Sequence, residues 1–418
     1  MLTEFKNVMG SRNFRYLWIS QILSQVTVNV MNFLLLTRLF TITGSTIATS
    51  FMWITYALPA IFIGPIGAAL VDRVDKRKML MWTNFLQALT VFSYIFLHEQ
   101  TIFLLYLVVL LYSLLNQFYA PAESASLPSV VGKNDLAHAN SVFFMTMQAS
   151  LIVGFGFAGV MQVFLGFNGS LILCSALLFL AFVSTNFLPK MKPAKDISGS
   201  FEKAITEFFG SIFEGYKFIK QKKEVLTSLL LILGMQVALY VVVVNVPTLA
   251  VDILGIPVNF AGVSVVVPAA IGALLGSAYI PRLIKKGFRK KGIIEDSLGM
   301  VGFALLFIAL AVPNINPPLR MVISFFIITL TGFGFVGVYL PSLTFLQQET
   351  PSWLRGRVFG SLGFLITIAT IFPVLFSGAI SEIFGSRILF GLLGIIVLVG
   401  LIYSRKKGQE FIETNFGK

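Results

Sequence analysis

The sequence predicts an all-α membrane protein of twelve transmembrane helices in two six-helix bundles. Mean hydropathy is +0.88, with 56% hydrophobic and only 12% charged residues, a balance far from that of a soluble domain. The apolar segments run to about twenty residues, which at roughly 1.5 Å per residue cross a hydrocarbon core of about 30 Å. Basic residues crowd into every second connection, so successive segments cross in opposite directions.

Span 1 (17–40) follows MLTEFKNVMGSRNFRYLW, which lacks the pattern of a removable signal and reads as an amphipathic lead-in. Spans 2 to 6 are expected at 47–71, 79–97, 101–123, 140–164 and 168–188. Spans 7 to 12 follow at 225–250, 258–281, 293–312, 319–347, 358–381 and 386–404. Prolines interrupt several of them: Pro59 and Pro65 in span 2, Pro247, Pro268, Pro341 and Pro373 in spans 7, 8, 10 and 11. Proline removes a backbone donor and bends a helix, and bent helices let a cavity close at one end while the other stays open.

The basic residues Lys6, Arg12, Arg15, Arg73, Lys76, Arg77, Lys78 and Lys133 lie on one side of this topology. With them go the eight lysines of 189–224, the cluster from Arg282 to Lys291, Arg355, Arg357 and the tail. Of 31 basic residues only Arg38, Arg320 and Arg387 fall towards the other face. The positive-inside rule therefore expects both termini in the cytoplasm, with the protein in a bacterial inner membrane. A basic rim beside anionic headgroups accounts for the net charge of +13 without a nucleic-acid partner. The single Cys174 admits no intramolecular disulfide or cysteine metal cluster.

The spans divide six and six. Residues 1–188 form the first expected bundle, 225–418 the second with its tail, and 189–224 a linker. The linker opens PKMKPAKDISGS and continues FEKAITEFFGSIFEGYKFIKQKKE, whose phenylalanines and isoleucines share one helix face. It reads as a helix lying at the cytoplasmic leaflet. Two bundles joined in this way suit rocking about a central site.

The sharpest local signal is the connection after span 2, Gly64-Pro-Ile-Gly67-Ala68-Ala-Leu-Val-Asp72-Arg73-Val-Asp75-Lys76-Arg77-Lys78. An acid at the membrane edge followed by bases resembles the signature loop of the major facilitator superfamily. Ala68 and Asp75 stand where that pattern has glycines, and these departures resemble the drug:H+ antiporter branch that includes macrolide exporters. The stretches Pro121-Ala-Glu123, Gly154-Phe155-Gly156-Phe-Ala-Gly159 and Pro351-Ser-Trp353-Leu-Arg355-Gly356-Arg357 extend the resemblance. Phe155 replaces the proline of the antiport signature, leaving Gly154, Gly156 and Gly159 as small residues for close packing between the halves.

The resemblance implies a cytoplasmic gate of Asp72, Arg73, Arg77, Glu123 and Arg357. Asp72 would face the positive N-terminus of span 11, and the arginines would organise carboxylates, Glu123 foremost. Polar residues inside the spans form the candidate substrate pocket: Asn29, Asn32, Arg38, Gln148, Gln236, Tyr240 and Asn245. Gln236 and Tyr240, four residues apart, share one helix face. Arg38 either binds an anionic group or extends towards headgroups.

No acid sits at a predicted midplane, so Glu123 and Asp252 are the candidates for ion coupling. The 42 phenylalanines suit a small hydrophobic or amphipathic substrate. The function expected is proton-coupled efflux by a monomer embedded in membrane lipids. No cofactor, metal cluster, phosphate loop or nucleophile elbow is seen, and an ion gradient supplies the energy. An importer or facilitator, a lysophospholipid transporter and a non-transporting sensor or scaffold remain as alternatives.

Overall fold

The computed structural model describes residues 8–71, 73–132, 135–191, 201–221, 223–351 and 354–412. Among them every regular element is helical. The chain forms two compact units, one of Met1–Leu39 with Met52–Phe208 and one of Phe40–Phe51 with Phe209–Lys418.

The first unit contains α1 (Arg12–Thr43) as far as Leu39, α2 (Thr46–Phe62) from Met52 onward, α3 (Gly64–Val71), α4 (Lys76–Leu97), α5 (Phe103–Val130) and α6 (Leu136–Asn186). The sequence leads one to expect a single span over 47–71; the structure bends it by 46° between α2 and α3. Pro65 has no N–H with which to continue the helical ladder, and Gly67 restarts the ladder by donating to the Ile63 carbonyl at 2.8 Å. Gly67 also lets α3 lie directly on α5, because a Cβ there would overlap the Gln117 carbonyl oxygen.

Asp75, the departure from the loop pattern, caps α4. Its Oδ1 accepts from the Arg77 amide at 3.0 Å and from the Met191 amide at 3.2 Å, satisfying donors left open at a helix start. The residues of α6, expected as two spans, run on as one element of 51 residues with a break at Gly166 (φ 70°, ψ 175°). Only glycine enters that region cheaply. At one end of the unit Phe14, Leu17, Leu80, Tyr119 and Leu127 pack into a buried core.

The second unit contains α7 (Phe201–Gln221) from Phe209 onward, α8 (Lys223–Val244), α9 (Val267–Lys285), α10 (Lys290–Leu310), α11 (Pro317–Glu349), α12 (Arg355–Phe384) and α13 (Ser386–Ile412). Between α8 and α9 the backbone widens into π-helical turns at Leu249–Leu254 and Gly262–Val266. Helices α9 and α11 touch backbone to backbone: a Cβ on Gly272 would overlap the Thr329 carbonyl, and one on Gly332 the Ala269 carbonyl. Helix α10 lies along α13, where a Cβ on Gly394 would come 3.0 Å from the Gly302 carbonyl oxygen.

Ten helices among the described residues are long and apolar enough to cross a membrane, or eleven with α2 and α3 taken as one bent span. Their outward side chains are apolar. Phe103, Phe164 and Phe372 are 76%, 81% and 66% exposed, which hydrocarbon tolerates and water does not. The chain is a multi-pass, all-α membrane protein.

Candidate functional site

In the first unit a chain of buried polar groups ties α1, α4 and α5 together. Ser24 Oγ donates to Asn84 Oδ1 at 2.8 Å, and Asn84 Nδ2 donates to Ser20 Oγ at 3.1 Å. Ser20 Oγ lies 3.5 Å from the Tyr119 hydroxyl, which donates to Glu123 Oε1 at 2.8 Å. Tyr119 and Glu123 are four residues apart and so lie one above the other on α5. Glu123 is only 6% exposed, and among the described residues no cation comes within ion-pair distance of it. A carboxyl group so enclosed needs a hydrogen-bond partner, which the Tyr119 hydroxyl supplies.

Arg77 does not meet Glu123. Its Nη2 donates to the carbonyl and Oδ1 of Asn186, at 2.6 and 2.9 Å, and so ties the start of α4 to the end of α6. Arg73 lies in the turn between α3 and α4, and Asp72 falls outside the described residues.

Asn29 lies on α1, half-buried, its Nδ2 donating to the Gln25 carbonyl at 2.8 Å. Asn32 is 8% exposed, whereas Gln148 is exposed on α6. Gly154, Gly156 and Gly159 are buried. A Cβ on Gly154 would overlap that of Asn29, so this glycine seats α6 on α1 inside the first unit. The Arg38 guanidinium lies over the Phe167 ring, 4.9 Å from its centroid, a cation–π contact. The His98 ring packs against the same phenylalanine at 5.2 Å.

In the second unit Gln236 and Tyr240 are half-buried on α8. Asn245 is wholly enclosed, and its Nδ2 donates to the Val241 carbonyl at 2.9 Å and to Ser377 Oγ at 3.0 Å. Asp252 is exposed in a π-helical turn, where its Oδ2 accepts from Ser386 Oγ at 3.0 Å. Arg357 is ion-paired with Glu214 of α7. Beside it Ser361 Oγ donates at 2.7 Å to the Ile212 carbonyl, and a Cβ on Gly215 would come 2.8 Å from the Arg357 carbonyl carbon. Helix α7 is therefore seated on the first turns of α12.

The Tyr119–Glu123 spacing was open to sequence reading; the link through Ser20, Ser24 and Asn84 was not, because it joins residues 60 or more positions apart. Among the described residues no group of three or more histidine, cysteine or acidic side chains stands ready to hold a metal.

Residues 17–372 match the family model described as Major Facilitator Superfamily. In Bacillus subtilis (strain 168) the chain is 25% identical over 370 residues to the uncharacterized MFS-type transporter YfiS, covering 87% of this chain and 85% of that one. It is 24% identical over 379 residues to BacE of the same strain, a bacilysin exporter by provisional assignment, covering 88% and 87%. Among solved structures it resembles the nucleoside transporter NupG (TM-score 0.68, 15% identity, 94% of this chain and 99% of that one). It also resembles the POT family transporter PepTSo (TM-score 0.67, 12% identity, 96% and 99%); at these identities the likeness is one of fold. A model spanning most of the chain and a matching helical fold agree: this protein belongs to the Major Facilitator Superfamily of secondary transporters, a family without enzymatic chemistry.

Proposed function

We propose that the chain is a proton-coupled exporter of small hydrophobic or amphipathic compounds, of the drug:H+ antiporter type, working by alternating access in the bacterial inner membrane. The observation that carries the reading is the Glu123 carboxylate, enclosed in the first unit with Tyr119 as its hydrogen-bond donor. Such a group binds and releases a proton as water gains and loses access. The provisional assignment of BacE to export supports the direction, and the loop from Gly64 to Lys78 supports the branch.

In this reading there are twelve spans in two bundles, 1–188 and 225–418, with both termini and the linker 189–224 in the cytoplasm. The break at Gly166 supports counting α6 as two spans. Asp72, Arg73, Arg77, Glu123 and Arg357 serve the cytoplasmic gate, and Asn29, Asn32, Arg38, Gln148, Gln236, Tyr240 and Asn245 the passage. Asp252 is the second candidate for ion coupling.

A second reading, a lysophospholipid carrier, is favoured by an apolar cavity of about 540 Å³ in the second unit, lined by Leu230, Met235, Val241, Phe376, Leu393 and Ile396 among others. The test is transport in proteoliposomes under an imposed pH gradient with lipophilic drugs and lysolipids. Gradient-driven drug movement that Glu123→Gln abolishes supports the first reading, and gradient-independent lysolipid movement replaces it with the second. No movement of either class refutes both.

A further inference from the structure

Residues from three helices of the first unit meet at the end of α4 opposite Asp75. They are Arg38 of α1, His98, which closes α4, and Phe167, the residue after the Gly166 break in α6. The Arg38 guanidinium lies 4.9 Å from the Phe167 ring centroid. The His98 ring is 5.2 Å from the same phenylalanine and 6.0 Å from the Tyr94 ring. An aromatic face attracts the guanidinium charge but takes none of the hydrogen bonds that the fork can give. Among the described residues none accepts a hydrogen bond from Arg38, and no carboxylate lies within ion-pair distance of it; Glu99, next to His98, is exposed and pairs with neither. Arg38 Nε and His98 Nδ1 are both enclosed without a hydrogen-bond partner, and His98 is only 9% exposed. Buried polar groups are as a rule paired. Here two unpaired ones adjoin a positive charge that no acid balances.

We propose that Arg38 and His98 form a binding site for a phosphate group on the platform of Phe167. Arg38 as a whole is half-buried, so the ligand enters at the open side of the fork and the guanidinium turns its Nε edge towards it. The planar fork matches two oxygens of an oxyanion. A tetrahedral phosphate keeps further oxygens for His98 Nδ1, which donates to or accepts from them, whereas the fork alone fills a carboxylate. Attraction between the charges is stronger at a half-buried position than in open water. Inorganic phosphate and a phospholipid headgroup both present this chemistry. The site lies within the first unit and stands whether or not the chain exports drugs.

The test is thermal unfolding of the purified full chain, read with a thiol-reactive dye at Cys174, which is 1% exposed in the same unit. Phosphate stabilises folded proteins in general by its exclusion from their surface, so the quantity read is the difference between wild type and variants at equal ionic strength. Saturating inorganic phosphate should raise the wild-type transition by a few degrees more than that of Arg38→Gln. His98→Gln should fall between the two, and acetate should not reproduce the difference. Arg38→Lys, which keeps the charge and removes the fork, should lose most of the shift, and it supplies the comparison if Arg38→Gln does not fold. Short-chain phosphatidylglycerol, set against the diacylglycerol of the same chains, tests the second source. A variant-sensitive shift from the lipid alone supports the site as one for headgroups; a shift from inorganic phosphate alone supports it as one for the free anion. Equal shifts in wild type and variants with both probes overturn the site, and an equal effect of acetate overturns its assignment to phosphate.

Discussion

Replacing Gly154 by alanine tests the close seating of α6 on α1. The added methyl would overlap Asn29 Cβ and lie 3.0 Å from both the Asn29 carbonyl carbon and the Val30 nitrogen. Non-bonded carbon contacts settle at about 3.5–4.0 Å, so α6 must withdraw along a stretch where two of the three neighbouring atoms are backbone and cannot rotate aside. Overpacking of this kind costs about 1–3 kcal/mol, only partly offset by the better helix propensity of alanine, about 1 kcal/mol. Cys174, 1% exposed within the same unit, provides the assay, since a thiol-reactive dye in a thermal ramp reports when this unit opens. Gly154→Ala should lower the transition by several degrees. The control is Gly234→Ala, which meets nothing within 4 Å and should leave the transition unchanged or raise it. An unshifted Gly154→Ala refutes the claim that this glycine is required by contact.

Tyr119→Phe removes the donor to Glu123 and leaves an enclosed carboxylate without it, a cost of about 1–3 kcal/mol. The variant should unfold a few degrees earlier and lose gradient-driven transport while retaining solute exchange, measured side by side in proteoliposomes. Loss of both activities without a stability change would contradict the role given to the pair. At the α7 contact, Arg357 and Glu214 are 45% and 56% exposed, so Arg357→Gln should cost less than about 1 kcal/mol and matter less in high salt. Gly215→Leu, which drives a side chain into the Arg357 carbonyl, should detach α7 and raise hydrogen exchange in residues 206–218; unchanged exchange would refute the seating of α7 on α12.

The multi-span helical character was legible because crossing hydrocarbon demands length and apolarity, both written in consecutive residues. What escaped were the places where tertiary packing decides. Pro65 signalled an irregularity in span 2, but the 46° bend also depends on Gly67 meeting the Gln117 backbone. The small residues of span 5 were expected to pack between the halves, whereas Gly154 meets Asn29 of α1 inside the first unit. Gly272 and Gly332 were not legible as contacts, since nothing in their own neighbourhoods says that a carbonyl from another helix approaches. Arg77 was expected to organise Glu123, yet Asn186, 109 positions away, takes its guanidinium and leaves Glu123 to Tyr119.

The central claim is a passage opened in turn to each side of the membrane. Gln236→Cys, half-buried on α8, in the Cys174→Ala background tests it by labelling with a membrane-impermeant thiol reagent from either face of sealed vesicles of known orientation. Labelling from both faces, with the imposed pH gradient shifting the ratio between them, is the expected result. Labelling from one face only, whatever the gradient, would contradict alternating access.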